Sequence, residues 1–296
     1  MSKTKSSTKK TEPKAKKAKA TKKKAASRHR YTLANADKYE LYQLAVQSPE
    51  TDVDFLMETY EDINGKKPKH LREDFCGTSL MCIEWVSRDE KNTAEGYDLD
   101  PEPLAWGKEH NFGKITKAGA EDRIDLYLED ARAPGRKAPD IRIAQNFSYW
   151  LFREREELIA YFKLAQESLA KDGIFVIDLY GGSEGTEEML EERKIEGGFT
   201  YVWDQDEFFP GTGEFFCKIH FKFRDGTELN NAFEYHWRAY SMSELKDILK
   251  DAGFSKVNSY FEGDDEDDPD EGNGIFEAEE RGENCASWIG YLVSQK

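Results

Sequence analysis

The stretch "LREDFCGTSLMCIEWV", residues 71–86, decides the fold of this 296-residue chain. Its pattern is typical of a short strand, a tight turn at Gly77 and a helix. Loops that cradle a nucleotide usually contain two or three glycines, whereas this turn contains one. The sequence leaves two interpretations at this point: a cofactor loop that lacks some glycines, or an ordinary strand-to-helix turn.

Strands and helices alternate around this stretch. We expect strands near 70–75, 93–98, 124–128, 140–146 and 173–180, together with helices near 78–88, 101–110 and 154–170. Strands separated by helices in this way predict an α/β fold with a doubly wound, mostly parallel sheet that has helices on both faces.

Three further segments surround the predicted core at 68–182. Two helices at 35–62 precede it, and an inserted helix followed by an antiparallel β lid is expected at about 183–240. The lid prediction depends on alternating aromatic runs such as "EFFCKIHFKF", separated by the turn sequences "PGTG" and "RDGT". A closing helix and β-hairpin at 241–296 complete the chain, with an acidic loop at 262–284.

The net charge of −16 hides a strong asymmetry. Residues 1–30 hold thirteen of the 43 Lys and Arg and one of the 59 Asp and Glu, so they carry +12 while residues 31–296 carry −28. Because the segment has no apolar residue larger than alanine after Met1, it is predicted to be a disordered tail. Such a tail can hold polyanions weakly through counterion release, or act only as a solvating segment.

Composition disfavours several classes of protein. No apolar run approaches membrane-spanning length and no apolar h-region follows the N-terminal lysines, so we expect a cytoplasmic chain without membrane contact. The cysteines form no CxxC pair and no Cys/His ligand spacing; they are Cys76, Cys82, Cys217 and Cys285. We therefore expect free thiols and no metal site.

Acidic residues stand at the ends of two predicted strands. "GYDLDPEPL" ends the second strand with Asp98, and "LEDAR" ends the third with Asp130. In an open parallel sheet, ligands bind beyond the carboxyl ends of the strands. An acid after the second strand can accept both hydroxyls of a ribose, and an acid after the third can accept an adenine amino group.

These motifs resemble, in order and spacing, those of the class I S-adenosylmethionine-dependent methyltransferases. The family's first motif, acid-x-Gly-x-Gly-x-Gly, falls on residues 73–79: Glu73 and Gly77 are kept, and Phe75 and Ser79 replace the flanking glycines. "GYDLDPEPLAWG", "EDAR" and "IRIAQNFSYWLF" are similar to the motifs that follow. The resemblance covers roughly 37–296 and implies a seven-stranded Rossmann-like sheet with a C-terminal antiparallel hairpin.

The resemblance also implies S-adenosylmethionine as the cofactor. The contacts that it implies are Glu73, Phe75, Gly77, Asp98, Asp130, Ala131 and Asn146. Only the residue nearest the cofactor backbone must lack a side chain, and Gly77 fills that place. We therefore expect Phe75 and Ser79 to adopt ordinary backbone conformations.

The acceptor side of the site is less defined by the sequence. Methyl transfer from a sulfonium requires alignment, desolvation and, for a protonated nucleophile, a base. The catalytic candidates are Tyr149, after the fourth strand, and His236, in the lid; a loop-capping role and a sheet-edge hydrogen bond are the respective alternatives. The substrate-binding candidates are Tyr39, Tyr42, Trp237 and Arg238.

The sequence favours a methyltransferase with a small-molecule acceptor. An acidic catalytic domain argues against a dedicated nucleic-acid groove. Two alternatives stay open: an RNA or protein methyltransferase recruited through the basic tail, and a catalytically silent binding module, which the two missing glycines suggest.

Overall fold

The computed structural model describes residues 31–114, 119–264 and 272–296, and the predicted tail at 1–30 lies outside them. Within these ranges the helices are α1 (Lys38–Val46), α2 (Pro49–Asn64), α3 (Leu80–Arg88), α4 (Pro101–His110), α5 (Arg155–Ser168) and α6 (Met242–Asp251). The strands of the central sheet are β1 (His70–Asp74), β2 (Thr93–Asp98), β3 (Ile124–Leu128), β4 (Ile141–Ala144), β5 (Ile174–Gly181), β10 (Lys256–Asp264), β11 (Gly272–Ala278) and β12 (Trp288–Gln295). Those of a second sheet are β6 (Met189–Ile195), β7 (Phe199–Phe209), β8 (Glu214–Phe223) and β9 (Glu228–Arg238).

The central sheet has the strand order β11-β10-β12-β5-β4-β1-β2-β3. The strands from β5 to β3 in this order pair in parallel, whereas β12, β10 and β11 are antiparallel. Helices α2 and α3 cover one face and α5 and α6 the other. The predicted doubly wound, mostly parallel sheet with a C-terminal hairpin is thereby confirmed.

The central sheet differs from the prediction by its eighth strand, β11. The acidic segment at 262–284 was expected to be a loop, but its residues Gly272–Ala278 form β11 and pair with β10. Composition alone does not favour a strand there. Phe276 supplies the reason, because its ring packs against Phe55 and Tyr291, with centroids 5.5 and 4.6 Å apart. Long-range packing thus overrides the local preference.

The second sheet forms the predicted lid, in the order β6-β7-β8-β9. The helix expected at its start is wrong, since "MLEERKI" forms the edge strand β6. These residues are good helix formers, but they pair over their whole length with β7. The exposed charged side chains of β6 suit an edge strand, because they discourage pairing with a further strand.

Helix starts follow their local signals. The Asp37 side chain accepts hydrogen bonds from the amides of Tyr39 and Glu40 and caps α1, and Pro49 begins α2. The Ser241 side chain caps α6 in the same way by accepting the amide of Glu244.

A buried ion cluster joins both sides of β1. The Asp74 carboxylate accepts hydrogen bonds from Arg72 Nε at 2.8 Å, Arg142 Nε at 2.7 Å and the Tyr161 hydroxyl at 2.7 Å. Both guanidinium groups also donate to the carbonyl oxygen of Ala131, each at 2.7 Å. Asp74 and its partners are almost fully buried. The cluster therefore links β1, β4 and α5 to the chain that follows β3.

This cluster predicts the effect of removing its acid. Asp74→Ala leaves two buried arginines without their carboxylate, so we expect the free energy of unfolding to fall by about 3–5 kcal/mol in urea titrations. Tyr161→Phe is the matched control, since it removes one hydrogen bond and leaves both charges paired, and its loss should be about 1–2 kcal/mol. Equal losses in the two variants would contradict this account.

Candidate active site

The turn after β1 keeps a left-handed backbone at three positions. The φ angles are +58° at Phe75, +49° at Gly77 and +61° at Ser79. The expectation of ordinary conformations at positions 75 and 79 is therefore wrong. Hydrogen bonds fix the turn, from the Cys76 amide to the Tyr97 carbonyl at 3.0 Å and from the Ser79 amide to the Cys76 carbonyl at 2.7 Å. The two side-chain-bearing residues cost about 1–3 kcal/mol each in such a conformation.

Gly77 and Asp98 meet at the carboxyl edge of the sheet. The Gly77 amide donates to Asp98 Oδ2 at 2.7 Å, and the Asp100 amide donates to Oδ1 at 2.9 Å. A Cβ atom added to Gly77 would meet nothing within 4 Å, so this face of the turn is open. Burial raises the pKa of Asp98 above its usual range. The turn is thus an open cradle beside a half-buried carboxylate.

An apolar side chain lies next to this carboxylate. Leu99, directly after β2, is 66% exposed although it is a large hydrophobic residue. The sequence analysis overlooked it, and its position between two acids in "DLDP" was the available signal. It can offer a flat apolar contact beside Asp98.

Glu73 and Phe75 do not face this open edge. The Glu73 carboxylate is buried and accepts hydrogen bonds from the Cys82 amide at 3.2 Å and its thiol at 3.0 Å. The carboxylate therefore caps the N-terminal end of α3. Burial raises the pKa of Glu73 to about 8. The Phe75 ring packs against Tyr161, with centroids 5.9 Å apart. The side chains of Glu73 and Phe75 therefore stabilise the turn by packing away from its open edge.

Asp130 is held by a neighbour. Arg132 donates to both Asp130 oxygens, at 2.9 Å from Nε and 2.7 Å from Nη2, and lowers the pKa of this carboxyl. Ala131 is buried, and its carbonyl is the acceptor shared by the two arginines of the Asp74 cluster. The buried cluster therefore fixes the position of the 130–131 segment.

A cavity of about 680 Å³ lies between the lid and the carboxyl ends of β4 and β5. Aromatic side chains from α1 and the lid form one wall, namely Tyr42, Tyr201, Trp203, Tyr235 and Trp237. Acidic side chains also line it, namely Asp52, Asp178, Glu184, Glu191 and Glu262. Arg193 is the one cationic side chain among the lining residues that the structure describes.

Asn146 and Asp178 stand at the floor of this cavity. Asn146 and Phe147 have φ angles of +55° and +56°, and their amides donate to Asp178 at 2.7 and 3.0 Å. Burial outweighs these bonds and raises the pKa of Asp178 to about 7. Sequence analysis missed Asp178, although an acid inside the apolar strand "GIFVIDLY" was a signal.

A second acidic corner faces the same cavity. The Tyr291 hydroxyl donates to Asp52 Oδ1 at 2.5 Å, and the Gln145 amide nitrogen donates to the Tyr291 oxygen at 3.3 Å. Burial raises the pKa of Asp52 to about 6. Gln145 is 9% exposed, and its Oε1 has no hydrogen-bond partner among the described residues.

Neither catalytic candidate reaches the cavity. Tyr149 is fully buried and its hydroxyl donates to the Asp178 carbonyl at 2.8 Å, so it holds the floor in place. His236 stacks on Phe216, with centroids 4.1 Å apart. It faces away because side chains alternate along β9, and its neighbours Tyr235 and Trp237 face the cavity.

Two of the four substrate-binding candidates line the cavity. Tyr42 and Trp237 do so. Tyr39 instead packs α1 against α4 and the lid, through Trp106 and Phe233. Arg238 forms an ion pair with Glu244 at 2.7 Å on the other face of β9. Tyr39 and Arg238 therefore do not line this cavity, and their roles in binding stay predictions.

The described ranges contain neither a metal-binding cluster nor a membrane-spanning helix. No group of three or more His, Cys, Asp or Glu side chains there is arranged to hold a metal ion. None of the helices in those ranges has the length and apolar character needed to cross a membrane.

Known structures share this fold. The chain is similar to an S-adenosylmethionine-dependent methyltransferase from Clostridium acetobutylicum, with 18% identity, a TM-score of 0.63 and coverage of 86% of this chain and 96% of that one. It is similar to CalS10, an amino pentose methyltransferase from Micromonospora echinaspora solved with S-adenosylmethionine bound, with 14% identity, a TM-score of 0.61 and coverage of 88% and 97%. It is also similar to the sugar N-methyltransferase KedS8 from Streptoalloteichus, with 17% identity, a TM-score of 0.58 and coverage of 92% of this chain and 98% of that one.

No protein-family model and no curated protein matches the sequence. The structural likeness establishes that the chain has the class I S-adenosylmethionine-dependent methyltransferase fold. The resemblance noted in the sequence is confirmed at this level.

The raised pKa of Asp178 predicts a pH-dependent stability. Its pKa is about 7 when folded against an ordinary value of 3.8, so the folded state keeps a proton that the unfolded state releases between these values. Stability from this group is complete below the lower value and is lost as pH rises through the higher one, by about 1.4 kcal/mol per unit of difference.

Asp178→Asn removes this dependence. Thermal unfolding of both proteins from pH 5 to pH 8 should show wild type losing stability relative to the variant by about 1–4 kcal/mol. The comparison subtracts the titration of Glu73, which both proteins share. A difference that stays constant with pH, or moves the other way, would contradict the assignment.

Proposed function

We propose that this chain is an S-adenosylmethionine-dependent methyltransferase that acts on a small-molecule acceptor. One observation carries the proposal: the open cradle at Gly77 lies at the same sheet edge as a lid-covered cavity. The shared fold and the methyltransferases named above support it.

The cradle fits the cofactor. Gly77 leaves room for close approach of a ligand backbone, and Asp98 offers a half-buried carboxylate for ribose hydroxyls. Leu99 would contact the adenine ring, and Asp130 with Ala131 would bound its edge. S-Adenosylmethionine would supply a methyl group made electrophilic by a sulfonium centre.

The chain's own residues contribute position and environment. The lid forms one wall of the cavity, and its aromatic side chains would reduce the contact of a bound acceptor with water. Asn146 and Asp178 lie at the floor of the cavity. Strand β4, which leads to Asn146, pairs with β1, which leads to the cradle at Gly77. Asp178, whose pKa is near 7, can accept a proton from a nucleophile at neutral pH. No further catalytic group is required for an in-line displacement.

The cavity favours a small acceptor over a nucleic acid. It is covered by the lid and lined by five acids and one arginine, so it would repel a phosphate backbone. These features support the small-molecule hypothesis over recruitment of RNA through residues 1–30.

The proposed function predicts that the chain binds the cofactor. Isothermal titration calorimetry with S-adenosylmethionine and S-adenosylhomocysteine should give micromolar affinity for the wild type. Asp98→Ala should weaken it about 10- to 100-fold, because ribose hydroxyls lose a buried charged acceptor. Absence of binding by the wild type would overturn the proposal.

Substitutions at two glycines test whether a ligand binds at the cradle. Gly77→Ala places a methyl group in the open space of the turn, and we expect at least about tenfold weaker binding of S-adenosylhomocysteine. Gly65→Ala is the matched control, because Gly65 has a φ of +65° and equally open surroundings at the end of α2. Both variants should lose about 1 kcal/mol of stability. Equal affinities in the two variants would exclude a ligand at Gly77.

A further inference from the structure

Two of the acidic side chains that line the cavity, Asp52 and Asp178, form no ion pair with a cationic side chain among the described residues. Asp52 accepts a hydrogen bond from a tyrosine hydroxyl and Asp178 accepts two from backbone amides, and neither lies within salt-bridge distance of a cationic side chain in the described ranges. The buried Asp74 differs from them, because it is paired with two arginines. Buried carboxylates are normally paired, so these two are available for a ligand cation.

The two carboxylates belong to different walls of the cavity. Asp178 stands at the floor, within β5, and is fixed by the amides of Asn146 and Phe147. Asp52 stands on α2 in the corner closed by Tyr291. Glu262, from β10, lines the same cavity and adds negative potential at Asp52.

The corner at Asp52 also presents a neutral acceptor. Gln145 lines the cavity and donates from its amide nitrogen to Tyr291, while its buried Oε1 has no hydrogen-bond partner among the described residues. A buried carbonyl oxygen without a donor costs about 1–3 kcal/mol, and a ligand N–H would remove that cost. Asp52 and Gln145 together therefore favour a ligand group that donates hydrogen bonds and carries a positive charge.

The aromatic wall suits the same kind of ligand. Tyr235 stacks on Trp237, with centroids 4.3 Å apart, and Trp203 lies 6.1 Å from Trp237. Faces of Trp and Tyr rings attract ammonium groups and their methylated forms. Arg193, the one cationic side chain that lines the cavity in the described part of the chain, lies over the Tyr201 ring and donates to the Ala45 carbonyl, so it does not pair with Asp178 or Asp52.

From this arrangement, and resting on the proposed function, we propose that the methyl acceptor is a diamine: one amine is methylated beside Asp178, and a second ammonium group is held by Asp52 and Gln145. The acceptor nitrogen gives its proton to Asp178, and its lone pair then forms the new bond to the methyl carbon. The sulfonium sulfur keeps the electron pair of the broken carbon–sulfur bond. Charge and atoms balance without a further reactant.

The test uses protein saturated with S-adenosylhomocysteine, whose binding is measured first. Isothermal titration calorimetry then compares α,ω-diaminoalkanes, from diaminopropane to diaminooctane, with monoamines and diols of equal length. We expect the best diamine to bind at least about tenfold more tightly than its monoamine, and the diol to bind more weakly still.

Variants of three acids test whether Asp52 and Asp178 cause the preference for diamines. Asp52→Asn should reduce the diamine to about the affinity of its monoamine, while Asp54→Asn, an exposed acid two residues along α2 that pairs with Arg88, should leave the preference intact. Asp178→Asn should weaken both amines at least about tenfold. If that variant does not fold, the comparison of Asp52 with Asp54 still decides.

The outcomes separate the two proposals. Failure to bind S-adenosylhomocysteine overturns the proposed function itself. Normal binding of it with no affinity for amines, equal affinity for diamines and monoamines, or a diamine preference that survives Asp52→Asn overturns the diamine inference and leaves methyl transfer standing.

Discussion

The position of the site depends on the buried contact between Asp74 and two arginines. Arg72 and Arg142 both donate to this carboxylate, and both also donate to the carbonyl of Ala131. One acid at the end of β1 thereby sets the chain after β3 relative to the turn at Gly77. Its low-dielectric surroundings make the geometry strict, because each group left unpaired there would cost several kcal/mol.

Backbone strain accumulates at the same edge of the sheet. Four residues other than glycine have left-handed φ angles there: Phe75, Ser79, Asn146 and Phe147. Two belong to the cradle and two to the cavity floor, where their strained peptide units aim amides at Asp178. Strain of this kind persists only where the surroundings enforce it, and it clusters at functional sites. Phe75 and Ser79 therefore hold the left-handed conformation of this turn although neither is glycine.

Local pattern predicted much of the fold and less of the site. The five parallel strands and the strand-end acids Asp98 and Asp130 follow from periodicity and from the rule that ligands bind at carboxyl ends. Strands β6 and β11 were missed, since their pairing depends on partners distant in the chain. His236 was misplaced because a strand's register decides which face a side chain takes. The Tyr291–Asp52 contact joins residues 239 positions apart, which no local pattern reports.

A crystal structure with S-adenosylhomocysteine would test the central claim most directly. That claim is that the cradle at Gly77 and the lid-covered cavity form one methyl-transfer site. The account predicts the ligand against Gly77 and Asp98, with its sulfur directed toward Asn146 and the cavity. A ligand bound elsewhere, or bound with its sulfur separated from the cavity by protein, would contradict it.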